Sequence, residues 1–457
     1  MIDKNINDEL LALVNSDTAE LLCRLSSLPP VEIAEFLSEL DKDTKMLTVF
    51  KALPENLYGD IFCEFSSEIQ NNIYTNTSKK FFAQVFNAMP SDSRADFYKQ
   101  LDAKEQVKLL PYLSKSVRDD VISLSLYSDN TAGGIMSTDF ATLYKDMTVV
   151  EAMDKLRIDA PSQKMIYCAY VVDSEMTMLG YVSLRDLIIS DTHKRICDFL
   201  HTNFVCALVD DDKEKVASMI ERYSLTAIPI LNEEKQLVGI VSSDDAISVI
   251  KEEQTEDIEK LMGIVSDNSD QTYLEMSVLQ NYLKRIGWIV SLFFLGILTT
   301  LVLNYYEHIL SKIPILTPFF PMISAVGGNT GSQTSSVIVR ALSLNEVTMA
   351  DFMKVIWKEM KTAMLMAMTL FFLVYGEVFV ISFFNKTTTY NHFVISGVVS
   401  LALLLQVIVS MTLGALLPLM VKFFNKDPAV VASPAITTIV DVTGIIIYFS
   451  VAMFFLI

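Results

Sequence analysis

The sequence predicts a multidomain chain: an all-α N-terminal helical domain, an α/β pair of related modules, and an α-helical five-span transmembrane domain. Three observations carry this. Apolar residues recur at helical spacing through the first 130 residues. An internal duplication lies within 137–258, and five long apolar stretches follow residue 286. Charge divides the same way. The chain has 36 Lys/Arg and 55 Asp/Glu, but only ten and eight of these lie from Glu275 onward, which leaves 26 and 47 in residues 1–274, a net of −21. An acidic soluble part without a basic patch excludes nucleic acid as a partner.

Residues 1–130 read as a stack of short helices. Segments such as "FFAQVFNAMPSDSRADFYKQL" restart at Leu28-Pro29, Leu53-Pro54 and Met89-Pro90, as suits proline in a first helical turn. The opening "MIDKNINDEL" is polar, unlike a signal peptide. Cys23, Cys63, Cys168, Cys197 and Cys206 are odd in number and form no CxxC pair, so they read as reduced packing residues in a cytosolic domain.

The duplication aligns "MLGYVSLRDLI" (178–188) with "LVGIVSSDDAI" (237–247) at an offset of 59, matching Gly180 with Gly239, Ser183 with Ser242 and Asp186 with Asp245. Each copy predicts a strand, a turn, a second strand through the glycine, and an acid opening a helix. Two such modules, 131–198 and 199–258, resemble a tandem CBS pair. That resemblance implies adenine-nucleotide binding, such as ATP, with Asp186, Asp244 or Asp245 on the ribose. The same acids also suit plain helix caps. A charged connecting helix over 250–275, "IKEEQTEDIEKLMGI", then leads to the transmembrane domain, 276–457.

The spans run approximately 286–306, 314–340, 362–384, 393–421 and 429–456, each long enough for roughly 30 Å of hydrocarbon. Lys284, Arg285, Arg340, Lys354, Lys358, Lys361, Lys422 and Lys426 flank one side, and only Lys312 and Lys386 the other. The positive-inside rule therefore predicts cytosolic N-terminal domains and an extracytoplasmic C-terminus in a multi-pass plasma-membrane protein.

Asp441 is the one ionisable group of the fifth span, about 13 residues in and so roughly 20 Å from its start. A charged aspartate at mid-bilayer costs roughly 2.5–3.5 kcal/mol, and no Lys or Arg lies at its depth, so a passing cation is the natural counter-charge, with protonation or a bond to a neighbouring helix as the alternative. Thr437 lies one turn before it and Thr438 beside that, while Pro434 is expected to free a carbonyl. The second span supplies "GGNTGSQ", with close-approach glycines and the oxygens of Asn329, Thr330 and Gln333. This all-oxygen set favours a hard ion such as Mg²⁺, and a twofold dimer would bring a second carboxylate.

Here the chain resembles the MgtE family of magnesium channels and transporters, most specifically in "PMISAVGGNTGSQ" with "VIVRAL" and in "DPAVVASPAITTIVDVTGIIIYFSVA". The resemblance implies a homodimer with a pore from spans two and five, Asp441 as selectivity carboxylate, and Gly328, Asn329 and Thr437 nearby. It further implies a cytosolic Mg²⁺ sensor that shuts the pore, drawing on Asp245, Glu253, Glu256 and Asp257, with Asp92 and Asp96 as further ligands. One departure is "AISVI", where Ser248 stands in place of a further acid, pointing to fewer ions or lower affinity. A coupled exchanger or exporter using Asp441 as its proton or Na⁺ site is the alternative. An enzyme is not indicated: His193, His201, His308 and His392 are scattered and no phosphate loop appears.

Overall fold

The computed structural model describes residues 4–14, 18–40, 45–159, 165–265, 273, 276–307, 312–344, 346–384, 391–430 and 433–456. Glu275, His308 and Lys386, which entered the charge and chemistry above, lie outside the described residues. The chain divides into two compact units, 1–253 and 254–457, each described by itself.

The first unit opens with short helices, from Lys4–Val14 to Lys115–Ser125. Punctuation by proline and serine sets their starts. Pro30 occupies the first turn of Pro30–Glu39, whereas Pro90 is the residue just before Ser91–Gln100, one position earlier than a first-turn proline. Ser78 and Ser114 cap their helices by accepting from the Phe81 and Val117 amides at 3.2 and 3.3 Å. The helices close on an aromatic core. Phe82 meets Tyr74 edge-on at 4.9 Å and Phe62 at 5.4 Å, and Phe62 meets Phe97 at 5.3 Å.

A polar tie joins this stack to the modules that follow. The Ser91 amide donates to Asp139 at 2.8 Å, the Thr138 amide donates to Ser91 Oγ at 2.9 Å, and buried Arg94 lies 3.3 Å from Asp120. Each module is a three-stranded sheet. In the first, β1 (Phe140–Tyr144) runs parallel to β2 (Met165–Val172), which is antiparallel to β3 (Met178–Ser183). The second repeats this with β4 (Ala207–Leu208), β5 (Ala227–Leu231) and β6 (Leu237–Ser242). The duplication reaches register: Val171 pairs with Gly180 as Ile230 pairs with Gly239, and both hairpins shift register at the next residue. A Cβ on Gly180 would strike the His201 carbonyl, and one on Gly239 the Met136 side chain, so both strands need glycine there.

The helix after β6, α1 (Ser243–Leu261), is continuous. It starts earlier and ends sooner than the 250–275 expected, because the Ser242–Asp245 cap opens it and Gly263, at φ +70°, closes it. The division between the two compact units falls inside it.

The second unit holds α2 (Val278–Tyr305), α3 (Phe320–Ser343), α4 (Phe352–Phe384), α5 (His392–Phe423) and α6 (Ser433–Leu456). Among the described residues, four stretches, α2, α4 with its short leading turn, α5 and α6, are long and apolar enough to cross a membrane. The 24-residue α3 falls below that mark because glycines and hydroxyls fill its middle, and a 3₁₀ turn, Pro314–Phe319, forms the start of the expected second span. α4 begins nearly three turns before Thr362, so the expected third span is the later part of a 33-residue helix. α3 packs against both α5 and α6, and α5 is the most enclosed of the five.

Replacing Phe82 with alanine removes the hub of four ring contacts. We expect a loss of about 3–5 kcal/mol in the stability of the helical domain, read as a fall in the denaturant midpoint monitored by far-UV circular dichroism.

Candidate functional site in the membrane helices

The seam between α3 and α6 gathers the residues expected to act on an ion. Ser324, on α3, donates to the Asp441 carboxylate on α6. One turn along α3, Gly328 faces Thr437, whose methyl would lie 2.9 Å from a Cβ placed there. A further turn along, Ser332 Oγ lies 3.1 Å from Thr437 Oγ1 and donates to the Ser433 carbonyl at 3.3 Å. The spacing 324, 328, 332 on one helix thus meets 441, 437, 433 on the other, antiparallel, as fourfold spacing allows. Asn329 and Gln333 lie outside this seam, on an exposed stripe of α3.

Two expectations need correcting. α6 starts at Ser433, so Asp441 lies about 12 Å along a helix of roughly 36 Å, a third of its length rather than its middle. The residues expected to open that span instead include a 3₁₀ turn, Pro428–Val430. Pro434 falls in the first helical turn, where its missing N–H leaves no carbonyl unpaired, so it frees none for a cavity.

Composition did not single out the polar groups of α5. Gln406 is fully buried and donates from Nε2 to the Val440 carbonyl at 2.9 Å, and Ser410 donates to the Gly327 carbonyl. Gly414 lies where any side chain would strike the Gly331 carbonyl. The available signal was one amide and one hydroxyl spaced i, i+4 in the otherwise apolar run "LLLQVIVS".

The acids expected to sense ions are divided between local duties and crowding. Asp245 accepts from the Ser242 amide and hydroxyl, and Asp186 accepts from Ser183 and lies 3.0 Å from His201 Nε2, so both act as helix caps. Ser183 first, against burial, then holds the Asp186 acid below its ordinary range. Glu253 lies 3.4 Å from Lys213, Glu256 lies 2.6 Å from Lys260, and Asp244 is exposed. Burial, then Asp427, pushes the Asp257 acid up. Burial opposes charge on Lys260, yet hydrogen bonds to Asp427 at 2.7 Å and to Glu256 hold its ammonium above the usual range. Among the described residues, no three His, Cys, Asp or Glu side chains come together closely enough to hold a metal ion.

Asp92 and Asp96 lie one turn apart on Ser91–Gln100. Packing around it, then Asp92, pushes the Asp96 acid up to about 7, with Asp129 and Glu252 adding and Lys99 opposing. More than a third of the residue still faces solvent, so water lessens both the burial cost and the repulsion, and the upward direction is what matters.

A polar seam with one carboxylate, set among apolar helices and joined to a large acidic soluble unit, defines a membrane transporter for cations. Comparison with known proteins agrees. The MgtE divalent cation transporter family matches residues 320–451, the MgtE intracellular N domain matches 28–130, and CBS domains match 132–191 and 196–252. The magnesium transporter MgtE of Thermus thermophilus is 32% identical over 444 residues, 96% of each chain, and that of Enterococcus faecalis is 33% identical over 74% of this chain and 72% of its own. The soluble part of a magnesium transporter superposes with a TM-score of 0.52 at 30% identity, covering 55% of this chain and 98% of that one. The cytosolic domain of the Mg²⁺ channel MgtE in complex with ATP gives 0.50 at 29%, covering 53% and 99%. The chain belongs to the MgtE family of magnesium transporters, and is a transporter rather than an enzyme.

The Asp96 acid is raised in the fold, so its contribution favours folding at pH below its unfolded range near 4 and is lost as pH rises through about 7. Asp96→Asn should therefore lose less stability than the native chain between pH 5 and 8, with chelator present, in denaturant titrations. Equal losses would refute this.

Proposed function

We propose that the protein is a Mg²⁺-selective conduit of the plasma membrane, its pore formed by α3 and α6 of two subunits about a twofold axis. The observation that carries this reading is the α3–α6 seam. It presents Asp441 and Thr437 to a stripe of glycine and serine, with hard oxygens throughout. One carboxylate per subunit leaves a divalent ion half balanced, and a symmetric pair completes the balance. Few carboxylates and several neutral oxygens suit an ion that keeps much of its water. Gly328 allows close approach at this level, and Asn329, on the exposed stripe of α3, is available to a second subunit. The N-terminal domains are cytosolic and the C-terminus extracytoplasmic, in keeping with the basic residues at the ends of α2, α3, α4 and α5.

We further propose that cytosolic Mg²⁺ shuts the pore. Asp92 and Asp96 on the helical domain, Asp245 at the start of α1, and Glu253, Glu256 and Asp257 along it would hold the regulatory ions. The support for this reading is the pairing of Asp92 and Asp96 one turn apart, where burial first and the neighbouring carboxylate second push the Asp96 acid up. Mutually repelling acidic surfaces settle into one arrangement only when cations neutralise them. The paired modules would take ATP, with Asp186 or Asp244 on the ribose. Asp186, kept ionised in the first helical turn after β3, can accept a hydroxyl in place of His201.

Asp441→Asn should lower Mg²⁺ uptake into proteoliposomes at least ten-fold without altering the elution profile of the folded protein, and near-native uptake would remove the pore assignment. Current carried by Mg²⁺ without a proton or Na⁺ gradient separates a channel from a coupled exchanger. Millimolar Mg²⁺ should slow proteolytic cleavage within α1 several-fold relative to chelator, and equal cleavage would count against the sensor.

A further inference from the structure

We infer that Gln406, on α5, is a positioning residue that sets the rotation of α6, and through it the placement of Asp441 and Thr437. The inference rests on the pore reading above and assigns a role to a helix outside the proposed pore lining.

Gln406 is wholly buried and its carboxamide is threaded between two glycines from different helices. A Cβ on Gly327 of α3 would come within 2.6 Å of its Nε2, and one on Gly444 of α6 within 3.0 Å. Both neighbours thus lack the side chain that would exclude the amide. From this slot Nε2 donates to the Val440 carbonyl at 2.9 Å, and Thr443 Oγ1 donates to the same oxygen at 2.9 Å. Among the described residues, Oε1 of Gln406 meets no donor. A buried amide satisfied on one side only costs free energy that a leucine would not, so an apolar core alone gives no reason for it. The donor side, aimed at the residue immediately before Asp441, does.

Helix geometry supplies the link. Successive residues turn by about 100°, so anchoring Val440 toward α5 directs Asp441 to the adjoining side, where α3 presents Ser324. Ile436, Val440 and Gly444 form the buried stripe of α6, while Thr437 and Asp441 are half-buried beside it. A rotation of roughly 20° would move a side-chain oxygen at the outer radius of the helix, roughly 5 Å, through about 2 Å. That is enough to separate Asp441 from Ser324 and Thr437 from Ser332. Ser410, one turn along α5, donates to the Gly327 carbonyl and anchors α3 in the same manner. One stripe of α5 therefore grips both walls of the seam.

The test uses the full-length protein in proteoliposomes, with Mg²⁺ and Ca²⁺ uptake measured side by side. Gln406→Met keeps the length and volume of the side chain and removes the donor. The expected result is a three- to ten-fold fall in the Mg²⁺ to Ca²⁺ uptake ratio, the size expected from one lost hydrogen bond, with little change in melting temperature. A lowered melting temperature with the native ratio would show a purely structural role and overturn the inference, as would no change in either. Gly444→Ala presses on the same amide from α6 and should shift the ratio the same way. It decides the matter should the methionine variant fail to fold. Failure of the pore reading is seen separately, as native uptake by Asp441→Asn.

Discussion

A carboxylate within a long apolar helix, with no ion pair to Lys or Arg among the described residues, is the constraint on which the second unit depends. Its ionised form needs oxygen, water or a cation around it, since apolar helix surface cannot solvate it. The sequence answers with small residues. Gly327, Gly328 and Gly331 bring α3 against α5 and α6 at distances no larger residue permits, and Ser324 and Ser332 fill the seam with hydroxyls. Small residues and hydroxyls are what membrane helices use to pack closely when lipid offers no hydrophobic gain. Here the same residues make the packing and the polar lining, so neither can be altered without the other.

The soluble unit solves a different problem. Its first part is closed by an interlocking set of Phe and Tyr rings, and its second by two sheets that repeat each other to the level of register and cap. Its surface then carries acid well in excess of base. Lysines offset part of the excess locally, as Lys213 does for Glu252 and Glu253, but the Asp92–Asp96 turn remains crowded with like charge.

Much of this was legible in the sequence, for reasons that particular residues make plain. Helical period, the 59-residue repeat and the apolar stretches are long-range patterns and survive local irregularity. Asp441 stood out because a single acid in an apolar run needs a proton, a neighbouring helix or a cation to account for it. Ser324 escaped notice because serine is common in membrane helices, and only the meeting of two helices separated by over a hundred residues gives it a partner. Gln406 escaped for the same reason: its partner, Val440, offers a backbone carbonyl, which no side-chain pattern records. Boundaries were missed where punctuation was local. Ser242 with Asp245 started α1 early, and the turn at Pro428 shortened α6, moving Asp441 nearer to one end.

The continuity of α1 has a further consequence. An unbroken helix fixes phase within itself. Inserting one residue in Ser243–Leu261 would turn the helical residues that follow it by about 100° and advance them by about 1.5 Å, while a substitution on its solvent side would do neither. The segment should therefore tolerate changes of residue identity far better than changes of length.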